Sequence, residues 1–105
     1  MRRKRVLLVT PPYHSGVVES AGTWLNLGFV YLAGSLRAAG FEVEIYDAMS
    51  LWHDHAKIRR RIEAVRPDVV ATTAITAMIV DALGVLESAK AINPTCVTVL
   101  GNVHP

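Results

Sequence analysis

Cysteine is nearly absent from this sequence, with Cys96 alone among 105 residues. A single thiol excludes an intrachain disulfide, a CxxC redox pair, and any iron–sulfur or zinc site built from several local cysteines. Long apolar runs are absent too: nothing approaches the roughly 20 residues that cross a bilayer, and the apolar stretch 6–10 is too short for a secretory signal. We therefore expect a cytoplasmic protein without a membrane span.

Charge is also scarce, at 19% of residues with a net charge of +2. Four of the eleven positive charges stand together at residues 2–5, so the remaining seven Lys and Arg oppose nine Asp and Glu and give the rest of the chain −2. Because no second basic face accompanies it, we interpret the tetrad as a solvated leader before the first strand. No nucleic-acid partner is predicted.

Hydrophobic residues make up 51% of the chain, enough for one globular domain over residues 1–105 with its own core. Residues 6–10 are almost wholly apolar, as in a strand buried on both faces, whereas residues 41–47 alternate, as at a sheet edge. The predicted strands are 6–10, 41–47, 68–73 and 96–100, and the predicted helices are 27–39, 54–65 and 77–92.

Capping and stop signals accompany the predicted helices. Gly40 stands where the first helix should end, Asp54 can cap the second, and Pro67 and Pro94 follow the second and third. The apolar positions at helical spacing are Leu27, Val30, Tyr31, Leu32 and Leu36 in the first helix, Ile58, Ile62 and Val65 in the second, and Ile79, Leu83 and Leu86 in the third. These positions are predicted to face the core.

Strict alternation of strands and helices predicts right-handed crossovers onto one parallel sheet. We expect a flavodoxin-like (Rossmann-like) three-layer α/β domain with strand order 2-1-3-4. Such a sheet normally carries a fifth strand and a closing helix. The sequence is therefore expected to be the N-terminal fragment of a longer chain, truncated before strand five.

Ligands of open parallel sheets bind beyond the carboxyl ends of the strands, where the strand order reverses. Here that point lies between strands one and three, and the loop after strand one has about fifteen residues, against the usual two to six. The phosphate-binding patterns GxGxxG and GxxxxGK[ST] are both missing, which disfavours nucleotide chemistry. Thr72 and Thr73 stand where a response regulator would need a phosphorylatable aspartate.

Histidines and tryptophans leave alternatives open. His53, Asp54 and His55 form a crude metal clip, but a polar turn in which Asp54 caps a helix is the preferred interpretation, because zinc needs three or four convergent ligands. His14 lies in the long first loop, where it is either part of a ligand site or an exposed loop histidine. Trp24 and Trp52 fit either a core lid or a ligand wall.

Several short motifs together resemble one known family. They are Pro11-Pro12-Tyr13-His14-Ser15-Gly16, Tyr31-Leu32-Ala33-Gly34-Ser35-Leu36, Asp47-Ala48-Met49, Ala74-Ile75-Thr76 and Val99-Leu100-Gly101-Asn102-Val103-His104-Pro105. Over essentially the whole chain they resemble the cobalamin (vitamin B12)-binding domain that precedes the radical S-adenosylmethionine (SAM) domain in B12-dependent radical SAM enzymes, in particular one of tetrapyrrole biosynthesis.

The resemblance implies a cobalamin site and names its residues. By position they are Tyr13, His14, Ser15, Gly16, Thr73, Ala74, Ile75, Thr76, Gly101 and Asn102. The family's DxHxxG loop is incomplete here, because Pro12 replaces its aspartate and one residue fewer separates His14 from Gly16. His14 is thus a weak candidate for the cobalt ligand, and no metal site of protein ligands is predicted.

The same resemblance implies what lies outside this segment. A C-terminal radical SAM domain would hold the 4Fe–4S cluster, SAM and the tetrapyrrole substrate, so we do not expect this segment to be catalytic alone. Two alternatives remain: a non-enzymatic α/β ligand-sensing or interaction module, and a fragment of a nucleotide-binding enzyme.

Overall fold

The computed structural model describes residues 3–10, 29–48, 51–74 and 79–102. Its elements in chain order are β1 (Arg5–Val9), α1 (residues 29–38), β2 (Glu42–Tyr46), α2 (His55–Val65), β3 (Val69–Ala74), α3 (Ile79–Ile92) and β4 (Val97–Asn102). The predicted alternation of strands and helices is confirmed. The predicted start of the first helix lies outside the described residues.

The four strands form one parallel sheet in the order β2-β1-β3-β4, as predicted. Hydrogen bonding places Leu7 of β1 beside Glu44 of β2 and Val70 of β3. The middle strand β1 is apolar throughout Val6–Val9 and buried there on both faces, because helices cover both sides of a parallel sheet. Strand β2 lies on one side of β1 and strand β3 on the other, so the strand order reverses at β1.

Alternate residues of the strands contact different helix layers. Val6 and Leu8 of β1 face α1, where Phe29 and Ala33 pack on them. The other face of the sheet, including Leu7, packs against α2 and α3. The result is the predicted three-layer arrangement.

The buried face of α1 differs from the predicted one. Phe29 and Ala33 are buried, and Leu36 is packed against them, but Val30, Tyr31 and Leu32 are 57%, 74% and 42% exposed. Leu27, also predicted to face the core, lies outside the described residues. Apolar side chains occur on more than one side of this helix, so their spacing could not identify the side that meets the sheet.

The prediction for α3 is also wrong in its choice of face. Its buried residues are Ala82, Val85 and Ala89, whereas Ile79 and Leu83 are exposed. Leu86, the remaining predicted residue, is partly buried against the core. The two alanines let the helix backbone approach the sheet closely, an advantage that a search for large apolar residues does not detect.

The α2 prediction is confirmed for Ile58 and Ile62, whereas Val65 is half-buried. Ile58 and Ile62 are buried, and the Asp54 carboxylate accepts a hydrogen bond of 3.0 Å from the Lys57 N–H. This bond lowers the pKa of Asp54, so the cap is retained at neutral pH and lost as the pH falls through that lowered value. Gly40 ends α1 with φ +97°, as expected. Within the described ranges, no helix is long and apolar enough to cross a membrane.

The two edges of the sheet differ in chemistry. On β2, Glu42 pairs with Arg5 at 3.3 Å and Glu44 with Arg61 at 2.8 Å. Strand β4 carries no charged residue, and Val97, Val99 and Leu100 are 54%, 44% and 42% exposed. Among the described strands β4 pairs only with β3. Its outer edge thus lacks the charges that usually prevent edge-to-edge pairing.

We expect the 105-residue chain to self-associate through β4 at high protein concentration. Val99→Lys should shift the population toward monomer, because a charged side chain on an edge strand opposes pairing. Sedimentation equilibrium measures the shift. Leu83→Lys is the matched control, since Leu83 on α3 is 45% exposed, as Val99 is at 44%. A wild-type chain that stays monomeric at millimolar concentration would contradict the expectation.

Candidate functional site

The carboxyl ends of the four parallel strands meet at one edge of the sheet, and this edge is the expected binding region. The structure places four predicted residues at the ends of two neighbouring strands: Thr73, Ala74, Gly101 and Asn102. The others lie outside the described residues: Tyr13, His14, Ser15, Gly16, Ile75 and Thr76. The prediction that they join the site stays a prediction.

The described part of the site begins where β3 and β4 end. Thr73 is paired in register with Gly101, and Ala74 with Asn102. A glycine inside a strand often marks a place where another group approaches the backbone closely. The ends of β3 and β4, which were both predicted to contribute to the site, are therefore adjacent at the carboxyl edge.

Thr72 adds a polar atom that the predicted site did not include. Its side chain is 1% exposed, and within the described part of the chain its Oγ1 has no hydrogen-bond partner. A buried hydroxyl without a partner carries a desolvation cost and is uncommon in native structures. In the sequence, the position of Thr72 near the end of an apolar strand, directly before Thr73, could have indicated that it belongs to the site.

A second set of polar contacts joins the ends of β1 and β2. Thr10 donates its N–H to the Tyr46 carbonyl at 3.1 Å and its hydroxyl to Asp47 Oδ1 at 2.9 Å. Thr10 is 1% exposed. These bonds fix the first residue after each strand, and hence the places where the loops after β1 and β2 leave the sheet.

Tyr46 and His53 are coupled beside that junction. The Tyr46 hydroxyl and His53 Nδ1 share a hydrogen bond of 2.5 Å, with the two rings edge to face. Burial raises the pKa of the Tyr46 phenol, and the Arg61 guanidinium, 5.5 Å from the ring centre, opposes the rise. The phenol therefore stays protonated at neutral pH, and the pair anchors the loop between β2 and α2.

The His53, Asp54, His55 segment does not converge on one point. His53 contacts Tyr46, Asp54 caps α2, and His55 Nε2 lies 3.0 Å from Asp81 Oδ1 on α3. In the described ranges, no group of three or more His, Cys, Asp or Glu side chains could hold a metal ion. The preferred interpretation of a polar capping turn is confirmed for Asp54.

A cavity of about 460 Å³ lies at the opposite end of the domain, near the ends of α2 and α3. It is lined by Ile62, Glu63, Arg66, Pro67, Ala89, Ile92, Asn93 and Cys96. Burial raises the pKa of the Cys96 thiol, which keeps it protonated and weakly nucleophilic. The cavity lies apart from the carboxyl edge, and its thiol, that of Cys96, is not activated as a nucleophile.

Comparison with known families supplies the decisive observation. The sequence model of the B12 binding domain family matches residues 13–105 of this chain. The chain belongs to this B12-binding domain family. The match includes every residue predicted for the site, and the resemblance inferred from the short motifs is confirmed.

Two cyclases and a methyltransferase are among the curated relatives of this B12-binding domain. It is 45% identical to the anaerobic magnesium-protoporphyrin IX monomethyl ester cyclase of Rubrivivax gelatinosus over 95% of this chain and 18% of that protein. The cyclase of the same name from Cereibacter sphaeroides is 40% identical over 95% of this chain and 16% of its own length. An uncharacterised methyltransferase of Pyrococcus horikoshii is 35% identical over 99% of this chain and 23% of its own length. No solved structure matches the chain.

The described residues of the B12-binding domain are compatible with a cobalamin at the carboxyl edge. Gly101 has no side chain opposite Thr73, so a bulky group can approach the backbone there. The Thr72 hydroxyl is buried and unpartnered within the described residues. A polar ligand at this edge would give such a hydroxyl the partner that the protein does not provide.

Proposed function

We propose that this B12-binding domain holds cobalamin at the carboxyl edge, with the corrin over the loop 13–24 and the nucleotide tail passing Thr73 and Gly101. The observation that carries the proposal is the register pair Thr73 and Gly101 at the strand ends, in a chain of this family. The remaining predicted contacts are Tyr13, His14, Ser15, Gly16, Ala74, Ile75, Thr76 and Asn102.

The physical requirements of cobalamin match this edge. A broad, flat ligand with a long tail needs a wide rim above the strand ends and a narrow slot beside the sheet. Gly101 carries no β-carbon at the place where the slot would pass, and the Thr10–Asp47 bond fixes the start of the loop that would form the rim. Cobalamin would supply cobalt chemistry, while the protein would supply binding and orientation.

For the longer protein, we propose the oxidative cyclase reaction that forms the isocyclic ring of bacteriochlorophyll from magnesium-protoporphyrin IX monomethyl ester. The two cyclase relatives support it. This chain spans less than a fifth of each of them. The 4Fe–4S cluster, SAM and the tetrapyrrole would bind in a C-terminal radical SAM domain, and this segment would not cleave SAM alone.

Titration of the purified chain with hydroxocobalamin tests the proposal. Binding is followed by the visible absorbance of cobalamin retained after equilibrium dialysis, and parallel titrations use ATP and NAD. Saturable retention of about one cobalamin per chain is the expected result. Nucleotide binding without cobalamin binding would favour the nucleotide-binding alternative, and binding of neither would favour an interaction module.

We expect His14→Ala to leave the absorption maxima of bound cobalamin unchanged and its affinity within about threefold of wild type. Without the aspartate that orients an axial histidine, His14 borders the corrin in this proposal and does not ligate cobalt. The spectrum of the bound cofactor is the measurement. A clear shift of the cobalamin bands in the variant would show that His14 coordinates the metal.

A further inference from the structure

Trp52 adopts a backbone conformation that tryptophan rarely takes. Its φ is +56°, in the left-handed region. Leu51 donates its N–H to the Asp47 carbonyl at 3.2 Å, and His53 donates its N–H to the Ala48 carbonyl at 2.9 Å. The second bond, closing over six residues, is typical of a Schellman turn, in which the residue before the last donor takes the left-handed conformation.

The same chain shows which residue this position ordinarily carries. At the end of α1, Phe41 donates its N–H to the Leu36 carbonyl at 3.1 Å, and the residue before it is Gly40 with φ +97°. Glycine is favoured because a β-carbon crowds the following carbonyl in this conformation. Trp52 therefore occupies a position where the backbone favours glycine.

Core packing does not account for the tryptophan either. Its side chain is 66% exposed, and the neighbouring Leu51 is 57% exposed. An exposed indole gains little from the hydrophobic effect. A residue that the backbone disfavours and the core does not bury is a candidate for a role in binding.

The location of Trp52 indicates which ligand it meets. The loop after β2 leaves the carboxyl edge of the sheet, and its first residue, Asp47, is bonded to Thr10 at the start of the long loop after β1. Trp52 thus lies on a loop that leaves the same edge of the sheet as Thr73 and Gly101. Its neighbour His53 is anchored to Tyr46, which restrains the loop.

We propose that Trp52 forms an aromatic wall against the corrin of bound cobalamin, an inference that rests on the proposed function. A corrin presents a large, largely apolar surface, and an indole provides a wide contact at little cost in side-chain entropy. Nothing in the family match assigns this residue a role. The wall would bury the indole of Trp52 on binding.

The test compares Trp52→Gly, Trp52→Phe and Arg66→Gly. Arg66 is the matched control, because it is also left-handed, with φ +52°, and it follows α2 away from the carboxyl edge. Because glycine takes the left-handed conformation without strain, we expect Arg66→Gly to keep or raise Tm by a few degrees, about 2–5 °C. Trp52→Gly should weaken hydroxocobalamin binding about five- to twentyfold, and Trp52→Phe and Arg66→Gly less than threefold.

The outcomes separate this inference from the proposed function. If the wild-type chain retains no hydroxocobalamin, the proposed function is overturned and the inference with it. If wild type binds and Trp52→Gly binds equally well, only the wall is overturned. A loss of binding in Arg66→Gly or Trp52→Phe as large as that in Trp52→Gly would also overturn it.

Discussion

Replacing Gly101 with leucine is expected to weaken hydroxocobalamin binding by roughly five- to hundredfold, equivalent to about 1–3 kcal/mol. Gly101 pairs with Thr73 at the carboxyl edge, where the proposed tail slot passes. A leucine side chain would stand where the nucleotide tail passes in this proposal. The dissociation constant from equilibrium dialysis measures the effect, with circular dichroism confirming that the variant remains folded.

Val97→Leu is the control for Gly101→Leu. Val97 lies on the same strand at the opposite end and is 54% exposed, so an added methylene there has room. We expect its affinity to equal that of wild type. Unchanged affinity in Gly101→Leu would remove the proposed slot, whereas equal losses in both variants would indicate a general disturbance of β4.

The sheet could be predicted from the sequence because its signals were local and redundant. Residues 6–10 are almost wholly apolar, without alternation, and closed by prolines, which is typical of a strand covered on both sides. Residues 41–47 alternate, and β2 is indeed at the edge. Once the strands alternate with helices, the handedness of the crossover leaves few possible orders.

The helix faces could not be predicted as well, for a physical reason. Helix α2 has one apolar face and a charged remainder, so Ile58 and Ile62 were identified correctly. Helix α3 has apolar residues on more than one side, and the side that packs on the sheet carries the smaller ones, Ala82, Val85 and Ala89. In such a helix the side that meets the sheet depends on close packing between elements, which the spacing of large apolar residues does not determine.

The candidate site was predicted in part for a related reason. Strand ends can be located from the sequence, so Thr73 and Gly101 were placed correctly at the same edge. The unpartnered hydroxyl of Thr72 and the left-handed backbone of Trp52 depend on tertiary hydrogen bonding and on φ. Neither quantity is visible in a pattern of residue types.

Ile58→Ala is expected to lower the free energy of unfolding by about 2–5 kcal/mol. Ile58 is fully buried in the core between α2 and the sheet, together with Leu7, Val70 and Val85. Truncation would leave a cavity that these neighbours fill only partly. A domain of this size has about 5–15 kcal/mol of stability in total, so this loss is a large part of it. Tm should fall by roughly 10–30 °C.

Leu83→Ala removes a side chain of equal size from α3, where it is 45% exposed, and should cost less than about 1 kcal/mol. Thermal unfolding followed by circular dichroism compares the two variants. Equal losses would contradict the assignment of the core to the Ile58 side. Ile58 lies in the core and not in the proposed site, so the variant should bind hydroxocobalamin as wild type does. At 100 times its dissociation constant, the ligand should therefore raise the free energy of unfolding of both proteins by about 2.7 kcal/mol.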